Sequence, residues 1–285
     1  MNAMKTFGGI PRELAERNAA KIYLQSINYD GTSTWGKGAD KGYAAFLDAA
    51  ENMELYDIET DSEVYLHGIH LLDPAPKFHS PETMFEYTYY NTKKLLLEQK
   101  FLTFFGGEHS VSIGLIKAHY EHYKNLTVLQ IDAHADLRPH YHGTDYNHAC
   151  AVYDASKNCN LIQVGIRSMD VEEKQHMNYD QTYFAHDINA GKPYIEPALQ
   201  QMTDDVYITV DLDAFDSSIM PATGTPEPGG LNWETVINIL RETFASKNVV
   251  GFDIVELAPI PGMKSPQFLA AKLYYKMLSY KFNNQ

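Results

Sequence analysis

Short apolar, β-branched runs recur along this chain, separated by stretches whose apolar residues return at three- or four-residue intervals. The runs Ile22-Tyr23-Leu24, Val64-Tyr65-Leu66, Phe101-Leu102-Thr103-Phe104, Leu126 to Ile131, Leu161 to Ile166, Val206 to Val210 and Val249 to Val255 predict strands. Between them, Pro81 to Glu98, Ser110 to His122, Trp233 to Ala245 and Pro266 to Tyr280 predict helices. In the last, Leu269, Leu273 and Met277 recur at four-residue spacing, a stripe that packs on a sheet and not a cofactor site. Strands alternating with amphipathic segments imply crossover helices. The expected fold is therefore a three-layer α/β/α sandwich with a central, mainly parallel sheet.

Three of the predicted strands run directly into residues that carry chemistry: Gly106-Gly107-Glu108-His109-Ser110, Asp132-Ala133-His134-Ala135-Asp136 and Asp211-Leu212-Asp213. They supply four carboxylates (Asp132, Asp136, Asp211, Asp213) and two imidazoles (His109, His134), the donor set of a two-metal site. At roughly 3.3 Å per strand residue, Asp132, His134 and Asp136 share a face for as long as the chain stays extended. Two divalent cations would neutralise the four carboxylates, which without metal would raise one another's pKa. Oxygen-rich ligation with two imidazoles favours Mn²⁺ over Mg²⁺, Fe²⁺, Co²⁺ and Zn²⁺, and the absence of cysteine from all three segments disfavours structural zinc. Each segment lies where a strand gives way to a loop, the position at which open α/β sheets bind ligands. Gly106 and Gly107 permit a sharp turn before Ser110 opens a helix, but the pair lacks the spacing and lysine of a phosphate loop.

Length and charge narrow the class. The 285 residues could make two domains, yet α/β folds reach this size as one, and ligands from His109 to Asp213 must converge, so residues 1–285 are expected to form a single domain. The net charge of −14, from 23 basic and 37 acidic residues, with no basic cluster longer than Lys93-Lys94, argues against nucleic-acid binding. The stretch Met1 to Lys21 lacks the apolar core of a secretory signal, and no apolar run approaches membrane-spanning length. Two cysteines, Cys150 and Cys159, make no disulfide framework, and a cytoplasmic location is expected. The acidic surplus suits a cationic substrate, although it equally serves solubility.

Together with Thr223-Gly224-Thr225-Pro226 and Asp253-Ile254-Val255-Glu256, these segments resemble the ureohydrolase family of arginases and agmatinases, most of all the short bacterial and archaeal agmatinases. The resemblance extends to the stretch Tyr29 to Ala39, to Asp136-Leu137-Arg138, to Asn147-His148-Ala149 and to the run Gly224 to Gly230, and covers most of the chain. It implies an arginase-like fold and two Mn²⁺ per chain, held by His109, Asp132, His134, Asp136, Asp211 and Asp213 with Asp132 and Asp211 bridging. It also implies a homo-oligomer, trimeric or hexameric. By the same resemblance Asp136 orients the nucleophilic hydroxide, His148 carries a proton to the leaving amine, and Glu256 anchors the guanidinium with help from Thr225. On residue type alone, His140 and His142 compete with His148. A histidine near its ordinary pKa of ~6.5 suits this transfer. The other histidines, His67, His70, His79, His119, His122, His176 and His186, read as surface or structural residues.

The activity so implied is hydrolysis of agmatine to urea and putrescine, a step of polyamine biosynthesis. Arginine, guanidinobutyrate, guanidinopropionate and formimidoylglutamate hydrolysis share the chemistry. Arg138 stands where arginases carry Asn; pointing inward, it would repel the distal ammonium of agmatine and favour guanidinobutyrate. Other departures are Asp216-Ser217-Ser218 in place of Asp-Pro, Glu108 where many relatives have Asp, and Ala149 where arginases have Gly. Retention of His148 and Glu256 argues against a non-catalytic relative, and His109 with Asp213 argues against a single-zinc amidohydrolase of the deacetylase type.

Overall fold

The computed structural model describes residues 5–283; the first four residues of the Met1 to Lys21 stretch lie outside them. Eight strands form one sheet: β1 Ile22–Ile27, β2 Ile69–Leu71, β3 Phe101–Gly106, β4 Thr127–Ile131, β5 Asn160–Ile166, β6 Thr182–Phe184, β7 Asp205–Asp211 and β8 Asn248–Val255. Their order is β2-β1-β3-β8-β7-β4-β5-β6, and every pairing is parallel, so the sheet is more uniform than expected.

Side chains alternate across the strands and feed two cores, which is why helices cover both faces. Phe105, Ile208, Val210 and Ile254 face Phe46, Leu240 and Tyr274, from helices Gly42–Ala50, Trp233–Ser246 and Ser265–Phe282. Leu102, Phe104, Val128 and Tyr207 face Met84, Leu115 and Ile116, from helices Pro81–Leu96 and Val111–His122. This is the three-layer α/β/α arrangement. In the last helix Leu273 and Met277 are buried and Leu269 is half-buried against the first core. Local signals set the helix starts: Ser80 and Thr83 form a capping box ahead of Pro81, and Asn232 caps the helix from Trp233.

One predicted strand is wrong. Val64-Tyr65-Leu66 belongs to a turn of 3₁₀ helix, Val64–His67, and the edge strand begins only at Ile69, after Gly68 turns the chain at φ 76°. A short apolar run carries too little periodicity to separate the two conformations. Helix Gly42–Ala50 and strand β6 are additional elements. Among the described residues, no helix is long and apolar enough to cross a membrane.

Candidate metal centre and substrate cleft

The four central neighbours β3, β8, β7 and β4 end at one level, with Phe105 opposite Ile254, Asp211 opposite Val255 and Ile131 opposite Val210. Parallel strands lie about 4.8 Å apart, so residues just beyond these ends sit within side-chain reach of one another. At the exit of β3, Gly107 donates its N–H to the Ile27 carbonyl (2.8 Å) and accepts from the Glu256 N–H (2.7 Å). Any side chain at Gly107 would overlap the Tyr29 carbonyl. This close approach sets the position of Glu108 and His109.

His109 is fully buried, and its Nε2 lies 2.9 Å from Thr209 Oγ1. Thr209 donates its one hydroxyl hydrogen to Asp253 Oδ1 (2.7 Å), so the ring must donate from Nε2, and in its neutral form it carries its lone pair on Nδ1. Asp253 is held further by the hydroxyls of Ser112 (2.9 Å) and Tyr207 (2.7 Å). Nδ1 has no hydrogen-bond partner of its own, yet lies 3.1 Å from Asp132 Oδ2, 3.1 Å from Asp136 Oδ2 and 3.3 Å from Asp211 Oδ2. Metal–oxygen bonds of about 2.1 Å in octahedral geometry separate adjacent ligands by ~3.0 Å. A lone pair facing three carboxylate oxygens at that spacing fits a shared cation. Burial alone would depress the ring's pKa, but the surrounding carboxylates hold it well above the ordinary range, another sign that the cluster demands positive charge.

Asp132, His134 and Asp213 form a second group able to hold a metal ion, and share Asp132 with the first group of His109, Asp132 and Asp211. His134 Nδ1 lies 2.9 Å from Asp213 Oδ2. Asp211 and Asp213 each commit Oδ1 to a backbone N–H, of Asp213 (2.8 Å) and Ala133 (3.1 Å), and turn Oδ2 toward the imidazoles. Asp132 accepts from Gln130 Nε2 (2.7 Å) and from the His134 N–H (2.6 Å). Burial and then the charge of Asp132 push Asp136 up to about 7; burial and then Asp213 push Asp211 well above the carboxylate range. Asp213 goes the other way, down to about 2: burial raises it, but His134 together with hydrogen bonds to Asp211 and the Ala133 N–H more than offsets that. The extended chain expected through Asp136 stops short: β4 ends at Ile131, His134 makes an isolated bridge to Ser168, and Asp136 adopts φ 51°. Asp132 and Asp136 meet around His109 through this turn, while His134 leaves for Asp213.

Above the cluster opens a cleft of about 280 Å³, near the lower end for small-molecule sites. Glu256, His148, Thr225 and Arg138 all line it. Glu256 follows β8 at φ 69°, and its Oε1 accepts the His109 N–H (2.8 Å). Burial and then Glu108 raise its pKa well above the usual range. Burial, and after it the imidazoles of His134 and His109, pushes His148 down to about 4, well below the ordinary value expected for it. His140 pairs with Asp145 and His142 stacks on Tyr141; both are exposed and outside the cleft. Arg138 reaches the cleft already paired, 3.1 Å from Asp170 and 4.0 Å from Glu173, with its guanidinium over the Tyr141 ring. Asp216 closes its turn by accepting the N–H groups of Ser218 and Gly230, so the turn forms without the proline. Thr209 lies in no motif of the sequence, and Asp253 and Thr32, although inside stretches that carry the resemblance, are given no role by it.

Two metal-binding groups sharing a carboxylate, beneath a cleft that holds a buried glutamate and a histidine, define a candidate binuclear metallohydrolase centre. The chain belongs to the arginase family, whose match covers residues 20–279, and is an agmatinase-like ureohydrolase. It is 34% identical to the N(1)-aminopropylagmatine ureohydrolase of Thermus thermophilus, over 92% of this chain and 90% of that protein. It is 32% identical to the agmatinase of Halalkalibacterium halodurans, over 91% of each. The agmatine ureohydrolase of Thermoplasma volcanium superimposes with a TM-score of 0.88 at 26% identity, covering 99% of this chain and 96% of that one.

Proposed function

We propose that the protein hydrolyses the guanidinium group of agmatine to urea and putrescine, with two Mn²⁺ held by His109, Asp132, His134, Asp136, Asp211 and Asp213. When bound, such a pair would lower the pKa of water toward ~7 and so supply a nucleophile at neutral pH. Asp136 orients the attack, and Glu256 receives the planar guanidinium through Oε2 and the remaining lone pair of Oε1, a fork-to-fork pairing. Thr225 stands beside the same group. His148 rests as a neutral imidazole, takes a proton at one ring nitrogen and returns it to the leaving amine. Its depressed pKa makes that return favourable.

The observation that carries the choice of substrate is the pairing of Arg138 with Asp170 and Glu173. With its charge matched, the wall of the cleft keeps a surplus of carboxylate and suits an ammonium tail better than the carboxylate of guanidinobutyrate. A longer cation, N(1)-aminopropylagmatine, is the second reading, favoured by the names of relatives such as that of Thermus thermophilus. Urea release from agmatine, N(1)-aminopropylagmatine, arginine and guanidinobutyrate after Mn²⁺ loading tests both. A wild-type preference for guanidinobutyrate that Arg138→Ala abolishes would overturn the cationic-tail reading.

A further inference from the structure

We propose that Thr32 and Glu108 are positioning residues that lock His148 in one tautomer, with the proton on Nδ1 and the lone pair on Nε2. The proposal rests on the reading of His148 as the proton carrier and concerns residues to which that reading gives no role.

Glu108 is fully buried, and in every hydrogen bond it makes it is the acceptor. Its Oε2 accepts the N–H groups of Thr32 (2.7 Å) and Ser33 (2.6 Å) and the Ser33 hydroxyl (3.0 Å). Its Oε1 accepts the hydroxyls of Thr32 (2.6 Å) and Ser110 (2.6 Å). An O···O separation of 2.6 Å belongs to a hydroxyl donating to a carboxylate, and without a hydrogen between them the two oxygens would repel. The single hydrogen of Thr32 is thereby committed to Glu108. The lone pairs of Oγ1 face His148: its backbone N–H lies at 3.0 Å and its ring Nδ1 at 3.1 Å. With no second hydrogen on Thr32, Nδ1 must donate, and a neutral ring then carries its lone pair on Nε2. Because His148 lines the cleft, that nitrogen is the one free to exchange a proton there.

The same arrangement holds His109, where Asp253 fixes Thr209 and Thr209 fixes Nε2. In each case a buried carboxylate claims the threonine hydrogen and forces the imidazole to be the donor. The two differ in which ring nitrogen is tied, as their tasks require: His109 turns Nδ1 toward the carboxylate cluster, and His148 keeps Nε2 for the cleft. Glu108 and His109 are consecutive, so one turn after β3 supplies both a carboxylate for the proton carrier and a ligand for the metal group.

The discriminating variant is Thr32→Val, which keeps shape and the backbone N–H to Glu108 but removes Oγ1, while Ser33 still ties the loop to Glu108. With Mn²⁺-loaded protein and agmatine, kcat is expected to fall about 10–100-fold with KM changed less than about threefold and metal content unchanged. Thr32→Ser, which restores the oxygen, should return kcat to within about threefold of wild type. In the double variant Thr32→Val/His148→Asn, the Thr32 change should cost nothing beyond His148→Asn alone, since it acts only through that ring. Thr32→Val with wild-type kcat, or a full additional loss in the His148→Asn background, would overturn the positioning role. Wild-type kcat in His148→Asn would instead overturn the reading of His148 itself.

Discussion

The hydroxyl of Thr209 orients one metal-binding group and touches nothing in the other, so its removal should affect one cation of the pair. Thr209→Val is nearly isosteric, and Asp253 retains the hydroxyls of Tyr207 and Ser112. The His109 Nε2–H, wholly buried, loses its only acceptor, and an unmatched buried donor costs about 1–3 kcal/mol. Freed of its anchor, the ring also loses the orientation that aims Nδ1 at Asp132, Asp136 and Asp211. Loss of such an outer partner typically weakens metal affinity 10–100-fold, or ~1.4–2.7 kcal/mol, in line with the unmatched donor. Titration of metal-free protein with chelator-buffered Mn²⁺, read by metal analysis and calorimetry, should therefore become biphasic. One cation should bind 10–100-fold more weakly. The other, at Asp132, His134 and Asp213, should bind as in wild type, and Thr209→Ser should restore a single high-affinity profile. Two affinities that are both unchanged, or that fall together, would refute this division of labour.

Three further outcomes follow from other parts of the molecule. His119 is buried with Nδ1 2.7 Å from the Leu115 carbonyl and Nε2 unpaired, and burial holds its pKa down at about 4. The unfolded chain therefore binds more protons below pH ~6.5, and this ring should lower stability at pH 5 by about 2 kcal/mol relative to pH 8. Denaturant unfolding at both pH values should show His119→Phe losing about 2 kcal/mol less than wild type on acidification, and equal losses would refute it. Gly107→Ala should reduce stability by at least ~3 kcal/mol or prevent folding, because the methyl collides with the Tyr29 backbone; an unaltered melting temperature would contradict the close approach of the two backbones at the exit of β3. Asp213→Ala should lose bound metal, whereas His148→Asn should keep it and lose turnover by at least ~10²-fold, which metal analysis beside a urea assay distinguishes.

Most strands were readable as apolar runs, three of which end in recognisable donors, and candidate ligands could be named there because Asp and His at strand ends carry their chemistry locally. Asp132 and Asp136 lie four positions apart and do meet, but by a left-handed turn at Asp136 that no Gly or Asn announces. Val64-Tyr65-Leu66 misled because an apolar triplet is compatible with a strand or a helical turn. The partners of the two imidazoles were illegible for another reason. Glu108 and Thr32 are separated by 76 positions, and Thr209 and His109 by 100, so their pairing depends on how the sheet is ordered. The orientation of Arg138 was equally hidden, being decided by Asp170 and Glu173 from a different loop.

Asp136 and Glu256 occupy a backbone region that side chains enter at a cost of roughly 1–3 kcal/mol each. Both carboxyl groups are also held against their preferred charge state by burial and by neighbouring anions. Glycine at either position would relieve both burdens at once. A library of this enzyme sorted only for heat resistance should accordingly enrich changes at these two positions and accumulate inert proteins. Thermal engineering of the fold therefore needs turnover as a second criterion from the first round.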